Sequence, residues 1–290
     1  ETQPMIRRAL TCMTVLLLVG LACAADPLAT FVCRERVARD WGRTMVTYPV
    51  AFTPGQARVG RVRLVDAEGQ AHPCQFSRVT THRDGSIATA RLSFYAELPK
   101  GGSYRFDLLP GTPAKAAGVR AGTRGGVITL DNGITAIRLP AGKKRYAKPL
   151  ALVFGRRTMQ PHTALEQAGL AFGPIAGVRL ANGRWVTGSY FATEPLAAVL
   201  NRLHVSVPNE IAGLYREAPP TAAEIAAARQ AAPTVTGYAA EVTEEGPLFT
   251  EARIRFTFSN GCYYQLTARV LPGDPAIRID EMSDMRGNAP

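Results

Sequence analysis

The chain has 290 residues, of which 46% are hydrophobic and 20% charged, and its formal net charge is +11. That composition is ordinary for a globular chain that buries a core. The basic excess suits an acidic polysaccharide or an anionic envelope, and a general arginine bias of the source proteome explains it equally well. The arginines are scattered along strand-like runs and no recognition motif accompanies them, which argues against nucleic-acid binding.

Taken in chain order, the first feature is an export signal. Met5 reads as the initiator, so Glu1 to Pro4 read as upstream translated sequence. Arg7 and Arg8 form a positive n-region, Leu10 to Leu21 is almost wholly apolar, and Ala22-Cys23-Ala24 has the small-x-small pattern of a cleavage site. The apolar run is shorter than the roughly 20 residues a bilayer span needs. Cleavage after Ala24 is expected, with a mature protein that is secreted, periplasmic or on the cell surface and has no transmembrane segment. Lipid attachment at Cys23 is the alternative, disfavoured by bulky Leu21 where a small residue is usual.

From Ala29 to Pro110 short β-rich runs alternate with turn residues. Met45 to Phe52, Arg61 to Val65, Cys74 to Thr81, Ile87 to Tyr95 and Tyr104 to Leu109 are predicted strands. In the fourth, Ala88, Ala90, Leu92 and Phe94 share one face, the period of two that marks a half-buried strand. Residues 25–110 therefore predict a small antiparallel sandwich. Gly111 to Gly126 is rich in Gly, Ala, Lys and Arg without periodicity, and is predicted as a linker.

Strands resume at Val127 to Leu130 and Ile134 to Leu139. Gly177 to Leu180 and Trp185 to Ser189 flank Asn182-Gly183, which predicts a two-residue turn pairing Leu180 with Trp185. Pro219-Pro220-Thr221 with Glu224 is a capping box, so one short surface helix is expected between Thr221 and Ala232. Glu251 to Leu271 predicts a hairpin. A two-residue loop would set Phe256 against Gln265, whereas the three-residue loop Ser259-Asn260-Gly261 sets Phe258 opposite Cys262 and Phe256 opposite Tyr264. The apolar pattern selects three residues. The fold class expected is all-β: a sandwich, then a larger β region over residues 127–290.

Catalytic signatures are missing. There is no G-x-S-x-G elbow, H-E-x-x-H helix, P-loop or dinucleotide glycine motif, and no cofactor is expected. His72, His82, His162 and His204 are scattered, and each reads as a surface or loop residue before it reads as a base. Asp280, Glu281 and Asp284 could approach a calcium ion, but a solvated strand end is the stronger reading, and no metal site is predicted. Cys33, Cys74 and Cys262 match no zinc spacing; they read as small buried hydrophobes, with a Cys33–Cys74 bridge as an option. Trp185, Tyr190 and Tyr263 are the candidate sugar-stacking aromatics, while Trp41 and Tyr264 are expected in the core.

The strand patterns resemble the N-terminal β region of large secreted bacterial polysaccharide-degrading proteins similar to exo-rhamnogalacturonan lyases. Arg39-Asp40-Trp41-Gly42-Arg43-Thr44 and Val46-Thr47-Tyr48-Pro49-Val50 resemble the opening strand of their first sandwich, and Val62-Arg63-Leu64-Val65-Asp66 the next. Leu130-Asp131-Asn132-Gly133, then Glu245-Gly246-Pro247 before Arg253-Ile254-Arg255-Phe256, resemble a galactose-mutarotase-like supersandwich. Such families hold most of their catalytic residues on a helical toroid further along, to which nothing here corresponds. The resemblance therefore carries over no catalytic residue. It implies a truncated supersandwich that serves as a non-catalytic scaffold or glycan contact for an acidic or other polysaccharide. If the parent is a lyase, the chemistry implied is proton abstraction beside a uronate carboxylate. A non-enzymatic cell-envelope or adhesion protein is the alternative class.

Overall fold

The computed structural model describes residues 26–116, 118–152, 162–186 and 234–284. The signal segment, the expected helix between Thr221 and Ala232, Tyr190 and His204 lie outside these residues.

The first seven strands are β1 (Ala29–Arg34), β2 (Trp41–Ala51), β3 (Val62–Asp66), β4 (Ala71–His72), β5 (Cys74–Thr81), β6 (Ile87–Leu98) and β7 (Ser103–Pro110). They form two antiparallel sheets, ordered β1-β7-β3-β4 and β2-β6-β5. The alternation dictates how these sheets pack. Ala90, Leu92 and Phe94 of β6 meet Phe31, Leu64, Phe106 and Leu108 of the other sheet in one core. Burying each of the large side chains contributes about 2 kcal/mol over leaving it in water.

Among the described residues eleven more strands follow: β8 (Arg120–Arg124), β9 (Val127–Asp131), β10 (Ala136–Pro140), β11 (Gly142–Leu152), β12 (Leu170–Ala171), β13 (Gly177–Arg179), β14 (Trp185–Val186), β15 (Val235–Glu245), β16 (Thr250–Phe258), β17 (Tyr263–Val270) and β18 (Ile277–Asp284). One helix, α1 (His162–Gln167), precedes β12. A five-stranded sheet runs β14-β13-β10-β9-β8 and a six-stranded sheet β12-β11-β15-β16-β17-β18. Ile128, Leu130, Ile137 and Leu139 of the first pack on Ile254, Phe256, Tyr264 and Leu266 of the second. The architecture is all-β, with β11 and β12 as a short parallel pair.

The predicted β16–β17 register is observed: Ile254 pairs with Leu266 and Phe256 with Tyr264, and Phe258 donates its N–H to Cys262. The β13–β14 register differs from expectation. Arg179, rather than Leu180, lies opposite Trp185, and Leu180 donates to the Arg184 carbonyl at 2.9 Å. The loop is therefore the three residues Ala181-Asn182-Gly183, with Gly183 at φ 81°. It is the same turn as Ser259-Asn260-Gly261, where Gly261 has φ 80°.

Two further expectations change, and the cysteines follow their main reading as small buried hydrophobes. The stretch read as a linker contains β8, whose residues pair with β9 from Arg120↔Asp131 to Arg124↔Val127. Cys33 and Cys74 are free and buried rather than bridged. Cys33 sits 3.3 Å from the Tyr48 hydroxyl, and burial pushes the Cys74 thiol up to about 11, so it packs as an inert hydrophobe. Trp41, expected in the core, is 39% exposed because it starts β2 at the sandwich rim, where its indole N–H reaches Glu35.

The two sandwiches dock through a small apolar cluster of Leu248, Phe249 and Leu271 with Met45 and Tyr95. At its centre lies Gln75, only 4% exposed. Its Nε2 donates to the Phe249 carbonyl at 3.1 Å, and its Oε1 accepts from the N–H groups of Leu248 and Phe249 at 3.0 and 3.1 Å. A buried amide so satisfied specifies one docking geometry. Gly246 lets the strands close on it, since a Cβ there would stand 2.4 Å from the Gln75 Cδ.

Candidate functional site

Alternation on the six-stranded sheet sends Ile254, Phe256, Leu266 and Ala268 inward and leaves Glu251, Arg253, Gln265, Thr267 and Arg269 on the outer face. Register then aligns these polar residues in transverse rows. Glu241, Arg253, Thr267 and Asp280 are successive partners in one row, and Glu244, Glu251 and Arg269 in the next. Above them a groove of about 740 Å3 opens, closed on one side by Arg78 from the first sandwich.

Most of its carboxylates are held. Glu241 accepts from Arg253 at 2.5 Å. Glu251, 8% exposed, takes both the Nε and Nη2 of Arg269 on one oxygen, at 3.1 and 2.6 Å, while its other oxygen accepts from Thr243 at 2.9 Å. The Arg269 guanidinium lies 4.4 Å over the Phe249 ring, which ties this pair to the docking cluster. Glu281 accepts from the Tyr264 hydroxyl at 2.7 Å.

Arg78 is unusual. It sits where the β5–β6 register breaks between Ser77 and Thr80, and its φ is 51°, a left-handed backbone that non-glycine residues avoid. The Glu244 carboxylate holds it there by accepting its backbone N–H at 2.7 Å. Among the described residues the Arg78 guanidinium, Gln265, Thr267 and Asp280 have no side-chain partner in protein. The groove thus presents unpartnered donors and acceptors of both kinds.

The aromatic candidates fall on different sheets. Tyr263 lies on the outer face of the six-stranded sheet, in alternation with Gln265; its hydroxyl is 3.3 Å from the sulfur of Met282, a groove residue. Trp185 lies on the outer face of the five-stranded sheet, on the opposite side of the core. One face of each ring is covered by a guanidinium, Arg255 over Tyr263 and Arg138 over Trp185, both at 3.7 Å. The structure does not bring these two rings together.

The remaining candidates are scattered over both sandwiches. His72 pairs with Asp66 at 2.7 Å, His82 with the Phe52 carbonyl at 2.9 Å, and His162 begins α1. Asp280 and Glu281 are consecutive on β18 and point to opposite faces. No group of three metal-ligating residues occurs among the described residues. The groove residues were partly legible: the three-residue loop that aligns Phe256 with Tyr264 also sets Glu251 opposite Arg269. Arg78 carried no sequence signal, because its role depends on a bulge and on a second sandwich distant in sequence.

Fold and groove together define a two-sandwich all-β protein with a polar groove on one outer sheet face. No protein-family model matches the chain, and no curated protein matches it. Among solved structures, a protein in the glycosyl hydrolase family 38 from Enterococcus faecalis overlays with a TM-score of 0.33 at 7% identity, over 87% of this chain and 30% of that chain. An alpha-mannosidase from Enterococcus faecalis V583 overlays with a TM-score of 0.29 at 7% identity, over 87% and 29%. The chain spans less than a third of either protein's length, and likenesses of this degree carry no argument about function.

Proposed function

We propose that this chain is the glycan-contacting sandwich region of a polysaccharide-active protein working outside the cytoplasm, and that it binds sugar without turning it over. The observation that supports this is the mixed set of unpartnered groups in the groove: Arg78, Gln265, Thr267 and Asp280. Sugar hydroxyls both donate and accept, so a neutral glycan satisfies such a set. Five carboxylates and three arginines line the groove, which disfavours a polyanion there despite the positive charge of the whole chain. Acid–base cleavage of a glycoside takes a pair of available carboxylates about the scissile bond. Of the five, Asp280 alone has no partner among the described residues: Glu241 and Glu251 are paired with arginines, Glu244 accepts from the Arg78 N–H and Glu281 from Tyr264, so no two stand free.

The test is retention of the full chain on immobilised neutral galactan and on polygalacturonate. Neutral polymer should be held more tightly, with little loss as salt rises. Arg78→Gly, which relieves the left-handed backbone, should fold as well as the parent and bind about fivefold more weakly. Salt-sensitive preference for polygalacturonate, or unchanged binding in Arg78→Gly, overturns the groove as the contact. Release of reducing ends or unsaturated products by the purified chain overturns the non-catalytic reading.

A further inference from the structure

The first sandwich holds a second cavity, of about 360 Å3, at the rim where its two sheets part. Alternation on β7 places Tyr104, Phe106 and Leu108 on the inward face. Phe106 and Leu108 are 4% and 0% exposed, but Tyr104 is 41% exposed although its strand partner Cys33 is buried. An inward-facing aromatic that the core leaves uncovered lines a pocket instead of filling it.

The pocket walls carry polar groups held rigidly from behind. The His72 Nε2 lies 2.7 Å from the Asp66 Oδ2, and the other Asp66 oxygen accepts from the N–H groups of Gln70 at 2.7 Å and Glu68 at 3.1 Å. The His72 ring stands edge-on to Phe106 with centroids 5.3 Å apart. Its Nδ1 has no partner among the described residues. Opposite, the Arg43 guanidinium lies 4.0 Å over the Tyr95 ring and enters no ion pair among the described residues. Glu97 completes the wall.

We propose that this pocket is an independent saccharide site that takes one neutral sugar ring. Tyr104 offers an amphipathic ring for a sugar face to stack on. The His72 Nδ1, the Arg43 fork and the Glu97 carboxylate offer an oriented acceptor, donors and a second acceptor for hydroxyls. The volume lies in the range of small-ligand sites. Asp66 is committed to His72, which leaves Glu68 and Glu97 against Arg43, a balance that gives a uronate carboxylate no net attraction. The site shares no residue with the groove, so the chain would hold a glycan at two separate places.

The experiment is an NMR titration of the His72 imidazole nitrogens in the full chain with galactose, galacturonate and galactosamine, which share a ring and differ in charge. Galactose should move the Nδ1 resonance saturably and more tightly than the two charged sugars. Tyr104→Ala, a substitution at an exposed rim position, should weaken that titration about fivefold or more. Arg78→Gly, which tests the groove, should leave it unchanged. Absence of a saturable shift with galactose, tighter binding of either charged sugar, an undiminished response in Tyr104→Ala, or a change in Arg78→Gly overturns the proposal. The titration of the parent chain decides it even if the Tyr104 variant fails to fold.

Discussion

The Glu35 carboxylate accepts from the backbone N–H groups of Gly101 at 2.9 Å and Val37 at 2.6 Å and from the Trp41 indole at 3.4 Å. The Gly101 bond contributes most, and together these donors hold the carboxyl at about 2, well below its ordinary 4.5. A depressed value in the folded state means that the charged form stabilises the fold. That contribution is complete above pH 4.5 and is lost as pH falls from there towards 2. Glu35→Gln should therefore melt below the parent at pH 7, and the gap should close across that acidic window. Melting curves at a series of pH values check this; a gap independent of pH would exclude Glu35 as its source. Position 35 carries no sequence signal, since its largest contributor, the Gly101 N–H, lies on a turn 66 residues away.

At the scale of the element, the two Asn-Gly hairpins share one geometry. Gly183 donates to the Leu180 carbonyl at 2.9 Å and Gly261 to the Phe258 carbonyl at 3.1 Å. Asn182 and Asn260 accept through Oδ1 from the N–H groups of Arg184 and Cys262 at 3.0 and 3.1 Å. Each glycine holds a left-handed backbone, so Gly183→Ala and Gly261→Ala should each destabilise by about 1–2 kcal/mol in urea unfolding. Equal stability of parent and variants would contradict the turn assignment. Only one hairpin was legible beforehand. Strands β16 and β17 alternate over eight residues or more, so a wrong register would expose every core side chain. Strands β13 and β14 are too short to impose that penalty, and both Leu180 and Arg179 make tolerable partners for Trp185.

The whole molecule depends on how the sandwiches dock, and Gln75 and Gly246 are the test of it. Gly246→Ala should destabilise by about 1–3 kcal/mol, because its Cβ would overlap the Gln75 amide. Gln75→Ala should also destabilise, since it orphans two buried N–H groups and a carbonyl of the Leu248–Phe249 segment. The double variant should lose less than the sum, because removing the amide makes room for the methyl. Additive losses by thermal unfolding would show that the two residues do not meet. The groove beside this contact, closed by Arg78 against Glu244, should loosen with it.

Local alternation and turn chemistry were sufficient to specify the all-β class, the five predicted strands of the first sandwich, the β16–β17 register and, through that register, the Glu251–Arg269 pair. These features depend on period two and on neighbours within about twenty residues, where a slip exposes a core face at once. The tertiary structure alone decided that β8 pairs within the stretch read as a linker. It also decided that Trp41 is exposed, that Cys33 and Cys74 stay apart, and that Arg78 and Tyr104 line cavities. The β8 pairing is a tight Gly125-Gly126 hairpin with β9, hidden because its residues show no apolar alternation; the other outcomes turn on what another sheet brings against a residue, and a strand's own alternation cannot encode whether its inward face will be covered.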